Sequence, residues 1–328
     1  MKDFYKYKEQ IDDLIKIATP TEQDLKKVLG IISDDNDLAV HFYRGNANPG
    51  WLNILNESGQ FNRLADADIT NDFLAKMKAF YLVKVSDNKP KEVVNLISGL
   101  NVKDWLIQGI LLQSLLAKPL EVVDEGCELI QTFFKTAGHI DWYNHGERPA
   151  KFMIAIANDH PDKAFEIAEL LLKIEQQDGE NNYLDKTKTH FKDHDYEDLI
   201  FKHYKKLWEI YPFRATKLLI DVFNNYLNGL ESDDIGLEQG FYYTIERLDQ
   251  IESGYGERSV KNIIQGIYEA GKTVIEKQPE RINELFGYLQ SLNKPVFERI
   301  EMYLLRFVPG DGQIERVNTI IGSKKYLG

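Results

Sequence analysis

The sequence is poor in cysteine, with Cys127 the only one among 328 residues. That excludes an internal disulfide and any cysteine-rich zinc site, and it fits a reducing compartment. The flanks of Cys127 read EVVDEGCELIQTFF, an amphipathic helix in which the thiol serves as a small hydrophobe rather than a nucleophile. Long apolar runs are missing too. No stretch approaches the roughly 20 apolar residues of a membrane span, and the N-terminus MKDFYKYKEQIDDLIKIA carries acids where a signal peptide needs an apolar block. A cytoplasmic protein without membrane contact is expected. Positive charge is also short: 40 Lys and Arg stand against 52 Asp and Glu, a formal net charge of -12 that repels nucleic acid unless a local basic face overrides it. Basic clusters such as FKHYKKL are brief, interleaved with acids, and read as solvated helix faces. Strand-like alternation is scarce as well. Apolar residues recur at three and four rather than two, so the fold class is all-α.

What is present is a repeated local grammar. In TPTEQDLKKVLGIIS, Thr19 stands as N-cap, Pro20 in the first helical position and Glu22 third, a capping box before Leu25, Val28, Leu29 and Ile32. KPKEVVNLI, KPLEVVDEGCELI, HPDKAFEIAELL, YPFRATKLLIDVF and QPERINELFGYL each start a helix with proline. Aligned on Pro90, Pro119, Pro161, Pro212 and Pro279, the third following residues are Val93, Val122, Ala164, Ala215 and Ile282, all apolar and all on the inward stripe. Proline in a first turn sacrifices no internal hydrogen bond, so each marks where one helix stops and its partner starts. Irregular intervals between these prolines exclude a strict tetratricopeptide or ankyrin array. The expectation is a degenerate helical-hairpin repeat, an α-solenoid of the HEAT-like kind. Trp51, Val93, Leu96, Phe165, Leu171, Leu218 and Leu285 are its expected core.

Residues 176–195, QQDGENNYLDKTKTHFKDHD, are almost wholly polar and read as a loop or crossing between N-terminal repeats, 1–175, and C-terminal repeats, 196–328. GLESDDIGLEQG makes a second break. Neither resembles a flexible Gly/Ser linker, so one continuous array with bends is expected.

GIYEAGKT, Gly266 to Thr273, satisfies the phosphate-loop pattern G-x-x-x-x-G-K-[ST]. A working phosphate loop follows a buried strand and exposes its backbone to the anion. Here Val260, Ile263, Ile264, Ile267, Gly271, Val274 and Ile275 form one helical stripe through the supposed loop. The match is therefore read as part of a helix, with residues 266, 270 and 271 as close-packing points, Lys272 exposed and no nucleotide bound.

Two histidine clusters bear on chemistry. HFKDHD sets His190 and His194 four apart with Asp193 beside them, which on a helix would put both imidazoles on one face at metal-ligand spacing. The alternative is a polar surface segment, favoured because no glutamate lies between the histidines as a zinc-protease helix needs. GHIDWYNHGERP places Trp142, Tyr143, His145 and Arg148 in a connection between helices, where they read as a recognition loop. The aromatic residues, 17 Tyr, 17 Phe and 4 Trp, mostly stand at helical spacing and belong to the core.

The segment HFYRGNANPGWLNILNESGQF, through Phe42, Pro49, Trp51, Leu52, Leu55, Gly59 and Phe61, resembles helical repeat regions of large bacterial signalling-type NTPases and antiphage defence proteins. Its likeness extends over about Asp35 to Ile174. The resemblance implies an accessory or sensor module whose NTPase or nuclease lies elsewhere. The chain stops at VNTIIGSKKYLG without a polar cap, which points to a fragment of a longer protein. The leading expectation is a non-catalytic module that binds another protein and needs no cofactor. Metal-assisted hydrolysis through His190, His194 and Asp193 is the alternative, and a nucleic-acid-binding helical repeat is third.

Overall fold

The computed structural model describes residues 2–33, 35–66, 69–137, 139–176, 187–228 and 258–310. The chain divides into two compact units, Met1–Ile167 and Ala168–Gly328, a division that falls within the helix Pro161–Leu172 and ahead of the polar stretch. The fold is all-α. A single three-residue antiparallel pairing, Ile174–Gln176 with Thr187–Thr189, is the sheet content of the described residues. It occupies the flanks of the stretch expected as a loop, because Thr187 and Thr189 are β-branched and favour extended backbone. Residues 177–186, between the two strands, and the GLESDDIGLEQG break lie outside the described residues.

In the first unit, the helices Lys2–Ile15, Asn36–Gly45, Phe73–Val85 and Trp105–Leu111 pack in succession, each against the next, and the last lies against the turn Trp142–Gly146. Intervening helices pair on their own side, as Pro90–Leu100 does with Val123–Thr136. Local chemistry sets the entry of these helices. The capping box lies two residues later than expected: Thr21 Oγ1 accepts from the Asp24 amide at 3.3 Å, and the Asp24 carboxylate accepts from the Thr21 amide at 3.0 Å. Asp35, Asp72 and Asp104 cap three more helices with their carboxylates, satisfying amides that would otherwise lack partners.

Around the short helix Trp51–Glu57, Phe42, Tyr43, Trp51, Phe61 and Tyr81 are all fully buried. Phe42 meets Trp51 edge-on at 5.4 Å, and Phe61 stacks on Tyr81 at 6.0 Å. Gly59 takes φ +74°, a conformation glycine adopts without a Cβ penalty, and so turns the chain to bring Phe61 back into the core. Asn48 fixes the approach: its Nδ2 donates to the Ile15 and Ile17 carbonyls at 3.0 and 2.6 Å, while its Oδ1 accepts from the Gly50 amide. A β-carbon at residue 50 would run into the Ala18 carbonyl. Lys78 is buried here, donating to the Gln60 carbonyl at 2.7 Å with Tyr43 beneath its ammonium. The residues that carry the family resemblance are thus used in packing.

The second unit is organised around the 20-residue helix Arg258–Lys277. It packs along Pro212–Asn228 and also meets Asp193–Asp198, Lys205–Ile210 and Pro295–Leu305. Val260, Ile263, Ile264, Ile267, Ala270, Gly271, Val274 and Ile275 line its buried side. Gly266 allows Ile200 and Leu219 to approach, and Gly271 does the same for Leu304. Of the expected core, Trp51, Val93, Phe165, Leu171 and Leu285 are buried, whereas Leu96 and Leu218 are only half-buried at helix margins.

Candidate functional site

The connection 139–148 is built from below by a buried polar chain. Asp104 caps the helix Trp105–Leu111, its Oδ1 accepting from the Leu106 and Ile107 amides at 3.1 and 3.0 Å, while Thr70 donates to its Oδ2. One turn on, Gln108 is fully buried and its Nε2 donates to the Val102 carbonyl at 2.8 Å and to Thr136 Oγ1 at 3.1 Å. With both amide hydrogens used, the Gln108 Oε1 faces His145 Nε2 at 3.2 Å, so that nitrogen carries the imidazole proton. The other nitrogen, Nδ1, is buried without a hydrogen-bond partner and stands 4.0 Å from the Asp141 carboxylate. Burial drives the His145 pKa down to about 4 against the opposing pull of Asp141, so the imidazole is neutral and the approach to Asp141 is not an ion pair at neutral pH.

Asp141 instead caps the turn. Its Oδ1 accepts from the Asn144 amide at 3.0 Å, and its Oδ2 accepts from the Asn144 side chain at 2.9 Å. Residues Trp142–Gly146 form a π-helical turn, a wide coil that often marks a locally specialised segment. Asn144 rests directly over Gly109, where a β-carbon would collide with it.

The four residues expected to form a recognition surface therefore separate. Trp142 and His145 belong to the core, at 3% and 0% exposure. Their assignment to a binding surface is corrected: a π-turn over an apolar helix directs them inward. Tyr143 projects outward at 65% exposure, and Arg148, half-buried on the following helix, donates from its Nη1 to the Tyr143 carbonyl. His139, also exposed, meets Trp105 edge-on at 5.4 Å. The inner partners Gln108 and Gly109 carry only a faint sequence signal, one glutamine and one glycine in the apolar run WLIQGILL.

The helical spacing expected to set His190 and His194 on one face does not form. His190 precedes the helix Asp193–Asp198, so it cannot share a helical face with His194. His194 is exposed, with Nε2 3.0 Å from Asp195 Oδ1, and the Asp193 side chain lies outside the described residues. Among the described residues no group of three His, Cys, Asp or Glu is assembled for a metal.

GIYEAGKT lies wholly inside the helix Arg258–Lys277, and Thr273 Oγ1 bonds back to the Glu269 carbonyl at 2.9 Å. Its backbone amides are committed to the helix and do not form an anion cradle. Lys272 is half-buried rather than exposed, its Nζ 5.0 Å from the Tyr268 ring and 4.9 Å from the Phe307 ring, which shield it from solvent. Cys127 is buried, and burial pushes its thiol up to about 11, far from a thiolate at neutral pH. No helix among the described residues is long and apolar enough to cross a membrane.

Comparison with known proteins finds no matching family model, no matching curated protein and no matching solved structure.

Proposed function

We propose that the protein is a non-catalytic helical-repeat module that binds another protein, with the edge formed by Tyr143 and Arg148 as a contact point. The observation that carries this reading is the presentation of Tyr143. An exposed aromatic ring is held on a backbone fixed from beneath by buried Trp142 and His145, by the Asp141 cap and by the Arg148 bond to its own carbonyl. A ring held this way loses little conformational entropy on binding, which is the economy that interface tyrosines provide. The solenoid reading is supported by the side-by-side succession of alternate helices in the first unit. The resemblance of His41 to Phe61 to helical repeats of bacterial signalling and defence proteins directs the search for a partner to proteins of that kind.

The test is crosslinking from position 143. A photoreactive phenylalanine analogue replacing Tyr143 should join a discrete partner in lysate of the native host, and Arg148→Ala should reduce the yield while leaving the helical signal intact. A yield unchanged by Arg148→Ala, or equal to that from a control position on an acidic helix face, would refute the assignment of this edge.

A further inference from the structure

On the second unit, the helix Arg258–Lys277 and the helix Pro295–Leu305 with its following turn bring together an aromatic row bounded by cations. Tyr268 packs edge-on against Tyr303 at 4.5 Å and against Phe307 at 5.7 Å. Lys272 Nζ lies 5.0 Å from the Tyr268 ring and 4.9 Å from the Phe307 ring, and the Arg306 guanidinium lies 4.8 Å over Tyr303. The row is open to solvent: Phe307 is 36% exposed and Arg306 is exposed, and Met302, preceding Tyr303 on the helix Pro295–Leu305, is 38% exposed. Lys272 has one acidic neighbour, Glu269 at 3.7 Å, and no carboxylate among the described residues pairs with Arg306.

Three features of this face decide what it suits. Methionine, tyrosine, phenylalanine and arginine are the residue types enriched at protein contacts, and here Met302, Tyr303, Arg306 and Phe307 share one helix and the turn that follows it. On a chain of net charge -12, two cations set against one aromatic row stand out from the overall field. Both cations are held over rings, which fixes their heads at the rim of the row. A polyanion would draw on the same cations and rings, but it must also accept the acidic field of the chain and the Glu269 carboxylate. A short acidic segment with an apolar or aromatic residue meets both the charges and the rings while placing few charges near Glu269.

We propose that the face formed by Tyr268, Lys272, Met302, Tyr303, Arg306 and Phe307 is a docking surface for an acidic, aromatic-bearing segment of a partner protein. It rests on the reading of the protein as an interaction module but is separate from the Tyr143 edge. Carboxylates pair with Lys272 and Arg306, and the apolar side chain lies on Phe307 and Met302.

The probe is a short fluorescent peptide with a few glutamates flanking one tyrosine, titrated into the full chain by anisotropy, with the same peptide carrying lysine for glutamate and a single-stranded oligothymidylate as comparators. Saturable binding of the acidic peptide alone is expected, weakening as salt is added. Lys272→Glu with Arg306→Glu should reduce affinity by about tenfold or more, in the range of interface hot spots. Lys272→Met with Arg306→Gln keeps the side-chain stems and should weaken binding in the same direction, so it decides the matter if charge reversal perturbs folding. Tyr143→Ala should leave peptide binding unchanged. Absence of saturation, insensitivity to the neutral double variant, or preference for the oligothymidylate would each overturn the proposal. Failure here with crosslinking from position 143 intact would leave the broader function standing.

Discussion

The neutral, buried His145 makes stability depend on pH in a calculable way. Its folded-state pKa is depressed from 6.5 to about 4, first by burial, with His139 and Arg148 lowering it further and Asp141 opposing. Between those values the unfolded chain binds a proton that the folded chain refuses. Stability is therefore unaffected above the unfolded pKa, falls as pH drops from about 6.5 toward 4, and levels off below the folded value. At roughly 1.4 kcal/mol for each pKa unit, the full loss is about 3 kcal/mol, and most of it has been incurred by about pH 4.5. Urea unfolding of the wild type and of His145→Gln, compared at about pH 7 and about pH 4.5, isolates this contribution, since the carboxylates that also titrate are common to both proteins. The glutamine lowers stability at neutral pH by imperfect packing, so the quantity of interest is the change with pH and not the starting value. The wild type should lose about 2–3 kcal/mol more than the variant on acidification. Parallel losses, or an imidazole NMR titration centred near 6.5, would refute the burial argument.

Trp142→Ala should cost about 3–5 kcal/mol by emptying core volume, whereas Tyr143→Ala should stay within about 0.5 kcal/mol, both read from denaturant midpoints; equal costs would contradict the in-and-out arrangement of the π-turn. Gly109→Ala places a β-carbon against Asn144 and should destabilise by about 1–3 kcal/mol, with Asn144→Gly in the same chain recovering part of the loss; a neutral Gly109→Ala would show that the helix and turn separate easily. Because GIYEAGKT is an uninterrupted helix, ATP titrated into the purified chain should give no saturable signal, and micromolar binding abolished by Lys272→Ala would overturn that reading.

The proline grammar carried far because it reports a local constraint. Val93, Val122, Ala164 and Ala215 are fully buried and Ile282 nearly so, as their position three residues after a proline requires. Pro90, Pro161 and Pro212 open α-helices as expected. Pro119 and Pro279 open short 3-10 turns instead, with the Val122 amide returning to the Pro119 carbonyl at 3.3 Å before the α-helix begins. Fixed φ specifies that a turn of helix starts there, but it does not distinguish an i→i+3 from an i→i+4 closure. The first capping box moved by two residues for a related reason. Thr19 and Thr21 each have an acid three positions on, so the local sequence alone does not choose between them, and the helix starts after Thr21.

The candidate site shows the limit of local reading more sharply. Polar and aromatic letters between two helices suggest a loop facing solvent, and for Tyr143 they do mark an exposed side chain. For Trp142 and His145 the deciding partner is Gln108, 37 residues earlier, whose amide hydrogens are consumed by Val102 and Thr136 and whose oxygen is left for an imidazole. Nothing within GHIDWYNHGERP encodes that vacant acceptor. A buried glutamine left without it would bear a desolvation cost of about 1–3 kcal/mol, so the distant helix draws His145 inward, and the π-turn is the backbone form that lets His145 and Trp142 enter together while Asn144 closes over Gly109. The rigid display of Tyr143 follows from the same contacts. Its exposure is legible one residue at a time, but its fixity is a tertiary property that no window of the sequence contains.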